Sequence, residues 1–248
     1  MTKYQMVVDL DRCQGCRACM EACKVENNTT EGNFWMYVFR LEEGTYPDAR
    51  VSFLPRPCQH CDNAPCVKVC PVGARYKRED SLVLTDYDRC IGCRYCELAC
   101  PYGVNYFNWG KPKDRYYGDN WDDADLDAVS GGLTPPWRNP VLDQKQGDEN
   151  RLTAGGGHQK GVMEKCTFCV HRVERGDVPA CVETCPTEAL RFGDVDDEES
   201  PISRYLRDHE SFRLLDDLGA EPSVFYVGGQ HPSDEAREIE RVQAEVEK

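Results

Sequence analysis

Residues 90–101 read CIGCRYCELACP, a run of four cysteines, Cys90, Cys93, Cys96 and Cys100, with Pro101 directly after the last. The gaps between the cysteines are two, two and three residues. Three cysteines at such short spacing wrap one iron–sulfur cluster from a single loop, and a fourth that is followed by proline ligates the other cluster of a pair. The run therefore predicts one half of a module that holds two [4Fe–4S] clusters.

The 248-residue chain has sixteen cysteines, which fall into four groups of four. The first group is Cys13, Cys16, Cys19 and Cys23; the second Cys58, Cys61, Cys66 and Cys70; the third Cys90, Cys93, Cys96 and Cys100; the fourth Cys166, Cys169, Cys181 and Cys185. A disulfide framework is typical of short secreted chains, and the residues before Cys13 leave no room for a secretory leader. Structural zinc is the competing interpretation, but it usually takes two well-separated cysteine pairs, whereas three of these groups end in Cys-Pro.

The groups are of two kinds, each used twice. Around the first and third groups, Asp9, Gly15 and Arg17 match Asp86, Gly92 and Arg94. In the second and fourth groups, Cys66-Val67, Cys70-Pro71 and Ala74 align with Cys181-Val182, Cys185-Pro186 and Ala189. Such self-similarity indicates repeated structural units, independently of any metal. The chain is predicted to contain two modules, each built from one half-module of either kind.

Linker length favours a nested arrangement of these modules. Only nineteen residues separate Cys70 from Cys90, and they include a predicted strand at 82–84. A tandem pairing of neighbouring groups is the alternative, but it requires a 65-residue linker inside one module, which is uncommon. The predicted fold is α+β, with two ferredoxin-like modules, one inserted in the other. Its parts are an inner module at 55–109, an outer module at 1–54 plus 158–195, a loop-rich insertion at 110–157 and a C-terminal cap and tail at 196–248.

Within the cap, Ser200 before Pro201 predicts a helix start and residues 224–227 predict a strand. The charged end, 234–248, predicts a surface helix.

The crossed-ligand rule assigns each cysteine to a cluster. One set is Cys58, Cys61, Cys66 and Cys100, and its neighbour is Cys90, Cys93, Cys96 and Cys70. In the outer module the sets are Cys13, Cys16, Cys19 and Cys185, and Cys166, Cys169, Cys181 and Cys23. Every set is complete, so four [4Fe–4S] clusters are expected. No catalytic residues and no other cofactor site are predicted.

The chain resembles a known family in residues 4–195, outside most of the 110–157 segment. The most specific motifs are CQHCDNAPCVKVCP at 58–71, CIGCRYCELACPYG at 90–103 and EKCTFC at 164–169. They are similar to those of the four-cluster electron-transfer (beta) subunits of complex iron–sulfur molybdoenzymes, such as dimethyl sulfoxide, polysulfide, tetrathionate and respiratory arsenate reductases. The resemblance implies the nested pairing and a relay role without catalysis by the chain itself.

The same resemblance implies the order of the relay. The cluster on Cys13, Cys16, Cys19 and Cys185 is expected to face a molybdopterin-containing catalytic subunit. The cluster on Cys58, Cys61, Cys66 and Cys100 is expected at the far end, toward a quinone-reactive integral membrane subunit. Two alternatives stay open: a relay subunit of another respiratory complex (formate dehydrogenase, hydrogenase or a quinol-oxidising complex) and a free multi-cluster ferredoxin.

Composition restricts partners and location. The net charge of -14 disfavours nucleic acid, because phosphate binding needs a basic surface. No apolar run approaches the ~20 residues that span a bilayer, so any association with a membrane is expected to come through partners. The side of the membrane stays open between the cytoplasmic face and export with a partner that carries a twin-arginine signal.

Overall fold

The computed structural model describes residues 2–27, 29, 32–109, 160–229 and 237–238. Its helices and strands in chain order are β1 (Tyr4–Asp9), α1 (Ala18–Asn27), β2 (Tyr37–Glu43), β3 (Arg50–Arg56), α2 (Pro65–Lys68), β4 (Arg75–Lys77), β5 (Val83–Thr85), α3 (Tyr95–Leu98), β6 (Tyr106–Phe107), β7 (Met163–Glu164), α4 (Val170–Val173), α5 (Ala180–Glu183), β8 (Leu190–Asp194), α6 (Pro201–Asp208), β9 (Ser211–Phe212), β10 (Val224–Val227) and β11 (Arg237–Glu238). The predicted insertion at 110–157 lies outside the described residues. Four of the six helices are a single turn, so the fold is a mixed α/β arrangement in which loops carry most of the cysteines.

The largest sheet is built around β1, the buried strand that precedes the first cysteine group. β1 pairs antiparallel with β8 and parallel with β10, and β10 pairs antiparallel with β9. Successive side chains of a strand point to opposite faces, yet Met6, Val7 and Val8 are all fully buried. Val7 packs under α6 with Ile202, while Met6 and Val8 join the main core, so both faces of the sheet are covered.

Short hairpins support the remaining groups. β4 and β5 pair antiparallel and connect the second group to the third, which confirms the strand predicted at 82–84 to within a residue. β2 and β3 form a longer hairpin, and β6 pairs with β7 across the segment outside the description. Buried cysteines from all four groups belong to the same core cluster as the aliphatic and aromatic side chains. The cysteine sites therefore occupy the interior of the fold.

The C-terminal region differs from the predicted separate cap. Its helix begins as predicted, because Ser200 caps α6 by accepting a hydrogen bond from the backbone N–H of Ser203, with Pro201 in the first turn. However, β10 inserts next to β1 in the main sheet, so this region completes the outer part of the fold. The parallel pairing is invisible in the sequence, because β10 and β1 are joined by more than two hundred residues.

Two further expectations concern helices. Residues 237–238 form a strand paired with β2, so the surface helix predicted over 234–248 is wrong at these positions. Among the residues that the structure describes, no helix has the length and apolar character needed to cross a membrane.

Candidate metal centres

The loops of the first and third groups share one backbone conformation. Gly15 and Gly92 have φ of +69° and +67°, and Arg17 and Arg94 follow at +63° and +60°. Glycine adopts this left-handed region without the steric penalty of a Cβ atom. A Cβ atom on Gly15 would also lie 2.3 Å from the ring of Phe53. The repeat seen in the sequence is therefore a repeat of loop shape, which brings three cysteines of each group around one point.

An aspartate stabilises each of these two loops at its start. Asp9 Oδ1 accepts hydrogen bonds from the backbone N–H groups two and three residues ahead, both at 3.0 Å. Asp86 Oδ1 makes the same two bonds in the third group, at 3.0 and 3.3 Å. A short carboxylate side chain is suited to such a turn, because it replaces backbone partners that the loop lacks. Both aspartates are buried, which fixes the strand-to-loop junction before the first cysteine.

Three cavities are each lined by four cysteines from two different groups. The first holds Cys13, Cys16, Cys19 and Cys185; the second holds Cys58, Cys61, Cys66 and Cys100; the third holds Cys70, Cys90, Cys93 and Cys96. We call them the first, second and third cavities. Each encloses about 320–330 Å³, part of it open to solvent. The structure thus brings together three cysteines of one group with the last cysteine of another.

The remaining four cysteines, Cys23, Cys166, Cys169 and Cys181, form a fourth site that is wholly buried. Asn27 connects two of them, since its Nδ2 lies 3.6 Å from Cys23 Sγ and 3.7 Å from Cys169 Sγ. The Cys181 thiol interacts electrostatically with the other three members. Cys23 comes from the first group and the other three from the fourth, so this site has the same crossed composition as the cavities.

Burial and mutual proximity make these thiols costly to ionise without a cation. Burial raises the pKa of Cys19 to about 12, with further contributions from Cys13, Cys185 and Cys16. Burial raises the pKa of Cys61 as well, and its neighbours there are Cys58, Cys66 and Cys100. The electrostatic neighbours of both thiols are thus the other members of their own cavities. A bound metal group of positive charge reverses this penalty and deprotonates the thiols.

The donor sets fit cubane clusters. All sixteen cysteines are free thiols, and each site offers the four thiolates that a [4Fe–4S] cluster takes. A single zinc ion with Zn–S bonds of ~2.3 Å would hold its four sulfurs about 3.8 Å apart. Within the described ranges, no group of three or more His, Cys, Asp or Glu side chains is arranged to hold one metal ion. The cavities instead surround space for a polynuclear core, which bound clusters would fill with one-electron redox centres.

Comparison with known proteins agrees with this chemistry. Two models described as 4Fe-4S dicluster domains match the chain, one over residues 12–74 and the other over 49–115 and 156–195. Their boundaries do not follow the predicted inner and outer modules, so the insertion of one module in the other stays a prediction.

Relatives of known role cover most of the chain. The iron–sulfur subunit of arsenate respiratory reductase from Shewanella sp. is 42% identical over 90% of this chain and 94% of its own length. One subunit of tetrathionate reductase from Salmonella typhimurium is 36% identical (91% and 72%), and the iron–sulfur cluster-binding subunit of menaquinone reductase from Nitratidesulfovibrio vulgaris is 35% identical (91% and 88%). The chain belongs to the four-cluster iron–sulfur subunits of complex iron–sulfur molybdoenzymes. It is an electron-transfer subunit and has no catalytic activity alone.

In this iron–sulfur subunit, two equivalent residues of the repeat meet between the second cavity and the fourth site. His60 and Phe168 occupy the same position in Cys-x-x-Cys motifs of the second and fourth groups, with φ of +42° and +54°. Their rings stack with centroids 3.8 Å apart. His60 Nδ1 accepts from the N–H of Val83 at 3.0 Å, so its Nε2 carries the proton and donates to the carbonyl of Cys166 at 3.0 Å. Burial, with Lys165 nearby, lowers the pKa of His60, so the ring is neutral.

The sites of the iron–sulfur subunit follow one another in a definite order. Cys181 of the fourth site is electrostatically coupled to Cys19 of the first cavity, and Cys166 to Cys58 of the second. Arg75 in turn contacts Cys96 of the third cavity and lies within electrostatic range of Cys66 in the second. Exposed cysteines occur only in the first and third cavities. The expectation that the second-group site lies at the far end is therefore wrong: it is internal, and the third cavity is terminal.

Sequence reasoning also missed the buried cations beside these sites. Lys165 is an ordinary surface charge by sequence, but it is 1% exposed and donates hydrogen bonds to the carbonyls of Val83 and Cys166. Its side chain lines the second cavity. Arg75 is 2% exposed and lines the third. The signal available in the sequence is position alone: each lies next to a cysteine or to a buried strand.

Proposed function

We propose that this chain relays electrons through four [4Fe–4S] clusters between a molybdopterin-containing catalytic subunit and a quinone-reactive integral membrane subunit. The clusters are held by Cys13, Cys16, Cys19 and Cys185; by Cys166, Cys169, Cys181 and Cys23; by Cys58, Cys61, Cys66 and Cys100; and by Cys90, Cys93, Cys96 and Cys70. Each cluster passes a single electron to the next, and the partners' potentials set the direction of flow. The chain itself binds no substrate.

One observation carries this proposal: every site combines three cysteines of one group with the last cysteine of another. This is the ligand pattern of paired clusters in ferredoxins. It also supports the nested modules, because Cys185 near the end of the described chain shares a cavity with Cys13 near its beginning. Tandem pairing of the first group with the second would require Cys70 in that cavity, where Cys185 lies instead.

The two terminal clusters are the contacts with partners. By the family resemblance, the first-cavity end faces the catalytic subunit, which leaves the third-cavity end for the membrane subunit. Around the third cavity, Ile91, Tyr95 and Leu98 are 64%, 55% and 81% exposed, beside the exposed Cys93. Adjacent exposed apolar side chains are typical of interaction sites. Association with the membrane then comes through the partner, on whichever side the complex assembles.

The ligand sets are tested by grouping variants according to the EPR signal that they lose. In the co-expressed complex, Cys100→Ser and Cys58→Ser should abolish or alter the same reduced-cluster signal. Cys70→Ser and Cys90→Ser should both affect a different signal. If Cys100→Ser instead affects the signal lost in Cys90→Ser, the crossed sets are wrong even though the cluster count is right. A preparation with zinc and no labile sulfide would refute the cluster assignment altogether.

The partners are tested by affinity purification of the tagged chain from gently solubilised membranes, followed by mass spectrometry. We expect a molybdopterin-containing subunit and a multi-span membrane subunit. Leu98→Arg should reduce recovery of the membrane subunit, whereas Leu218→Arg, at a site 57% exposed and outside the cavity linings, should not. Recovery of a formate dehydrogenase or hydrogenase subunit would point to another respiratory complex. A monomer that reduces partners by diffusion would make the chain a free ferredoxin.

A further inference from the structure

Arg75 is a buried arginine that lies between the second and third cavities. It begins β4, lines the third cavity, and is 2% exposed. Its Nη2 donates to Asn105 Oδ1 at 2.8 Å and lies 3.5 Å from Cys96 Sγ. Its backbone N–H donates to Cys70 Sγ at 3.4 Å. Arg75 therefore contacts two of the four sulfurs of the third cavity.

The rest of its guanidinium has no protein partner. Arg75 Nε and Nη1 are buried without a hydrogen bond, and no carboxylate in the described ranges forms a salt bridge with it. An isolated buried charge costs several kcal/mol unless a counter-charge compensates it. Burial lowers the pKa of the guanidinium, but the sulfurs of Cys66 and Cys96 outweigh it and the net shift is upward. The anionic groups that this cation faces are thus the cysteine sulfurs of both cavities.

The internal repeat supplies a comparison within the same chain. Ala74 aligns with Ala189, so the residue equivalent to Arg75 is Leu190. Leu190 is 3% exposed, begins β8 and lines the first cavity. A leucine therefore fits this position of the half-module, and its fold does not need a cation there. The charge distinguishes the third cavity from its structural counterpart.

We propose that Arg75 is a potential-setting cation, which raises the reduction potential of the third-cavity cluster most and that of the second-cavity cluster less. Reduction adds an electron to a cluster that is already anionic with its thiolates, so a nearby buried cation favours the reduced state. Hydrogen bonds to ligand sulfurs act in the same direction. The third cavity receives both effects, because Arg75 contacts Cys70 and Cys96 there. The proposal rests on the proposed ligand sets.

The test is an EPR-monitored redox titration of the purified complex. Arg75→Leu copies the residue of the other half-module, and Arg75→Lys keeps the charge without the fork. The control is Arg89→Gln, which removes the same charge beside Cys90 from a side chain that is 65% exposed.

At the potential where the wild-type third-cavity cluster is half reduced, Arg75→Leu should lower its reduced-to-oxidised ratio at least about tenfold, equal to about 59 mV for one electron. Arg75→Lys should lie between Arg75→Leu and wild type, and Arg89→Gln should titrate close to wild type. The first-cavity signal should not move in any variant.

An unchanged midpoint in Arg75→Leu with full iron content would overturn the proposal. So would an equal shift in Arg89→Gln. If Arg75→Leu fails to assemble, Arg75→Gln is titrated in its place against the same criteria. Failure of the ligand sets is distinguishable, because it would appear as regrouped signals in the cysteine variants, whatever the midpoint of the Arg75 variants.

Discussion

Gly92→Ala should destabilise the third cavity through a collision of backbone atoms. A Cβ atom at this position would lie 2.0 Å from the carbonyl oxygen of Gly161, whereas ordinary contacts begin at 3.4 Å. Gly161 must therefore withdraw by about 1.4 Å. The movement strains two hydrogen bonds with Asn108: its carbonyl accepts from Gly161 N at 2.8 Å, and its N–H donates to the carbonyl of Val162 at 3.0 Å.

The expected cost has two parts. The left-handed backbone at φ +67° penalises any non-glycine residue by about 1–2 kcal/mol. The two strained hydrogen bonds contribute about 1 kcal/mol each. Gly73→Ala is the matched control, because Gly73 has φ +65° but a Cβ atom there meets nothing within 4 Å. It carries the first part only, and the loss of chain entropy in the unfolded state is the same for both variants.

Urea titration under anaerobic conditions, followed by visible cluster absorbance, measures the difference. With a slope of about 1–3 kcal/mol per molar urea, the midpoint of Gly92→Ala should fall about 1 M below that of Gly73→Ala. The third-cavity EPR signal should broaden in Gly92→Ala and stay sharp in Gly73→Ala. Equal midpoints for the two variants would show that the approach of Gly161 does not constrain this loop.

Three other outcomes are expected. Burial alone raises the pKa of Glu26, but hydrogen bonds from His171 and Arg172 lower it overall, so this ionised carboxylate stabilises the fold above its unfolded pKa of about 4.3. The difference in unfolding midpoint between wild type and Glu26→Gln should thus shrink as the pH falls below about 4.5, and a constant difference would contradict the ion pair. Ser200→Ala removes the cap of α6 and should cost about 1 kcal/mol with full cluster absorbance retained; lost absorbance would mean that α6 supports the clusters. Removal of iron by chelation should abolish the cooperative unfolding transition seen by circular dichroism, because buried thiols lose the metal bonds that connect the groups; an unchanged transition would show a self-sufficient apolar core.

Much of the candidate site is predictable because cluster ligation leaves a local signature. Cysteine spacing and the Cys-Pro endings predict three ligands from one loop and a fourth from a partner loop. The matching pairs Asp9 with Asp86 and Gly15 with Gly92 predict equal loops, and the structure gives them equal hydrogen bonds and φ angles. These features depend on residues within a few positions of one another, so a linear sequence contains them.

Long-range relations are not predictable in the same way. The order of the four sites depends on which loops pack together in space, and spacing along the chain does not contain that information. The parallel pairing of β10 with β1 has the same character. Lys165 and Arg75 carry a third lesson, since a charged residue in a sequence indicates exposure by default. Both are buried here because anionic ligand sites compensate their charge.

The two copies of each half-module separate what clusters require from what a relay requires. Positions at which the copies agree, such as Gly15 and Gly92, shape the loop and are needed wherever a cluster binds. Positions at which they differ change the surroundings of the cluster without changing its ligands. Arg75 against Leu190 adds a buried charge at one end of the order only, and electrons transfer along differences in potential. The same fold, used twice, can therefore give its terminal clusters unequal potentials through single side chains beside the sulfurs.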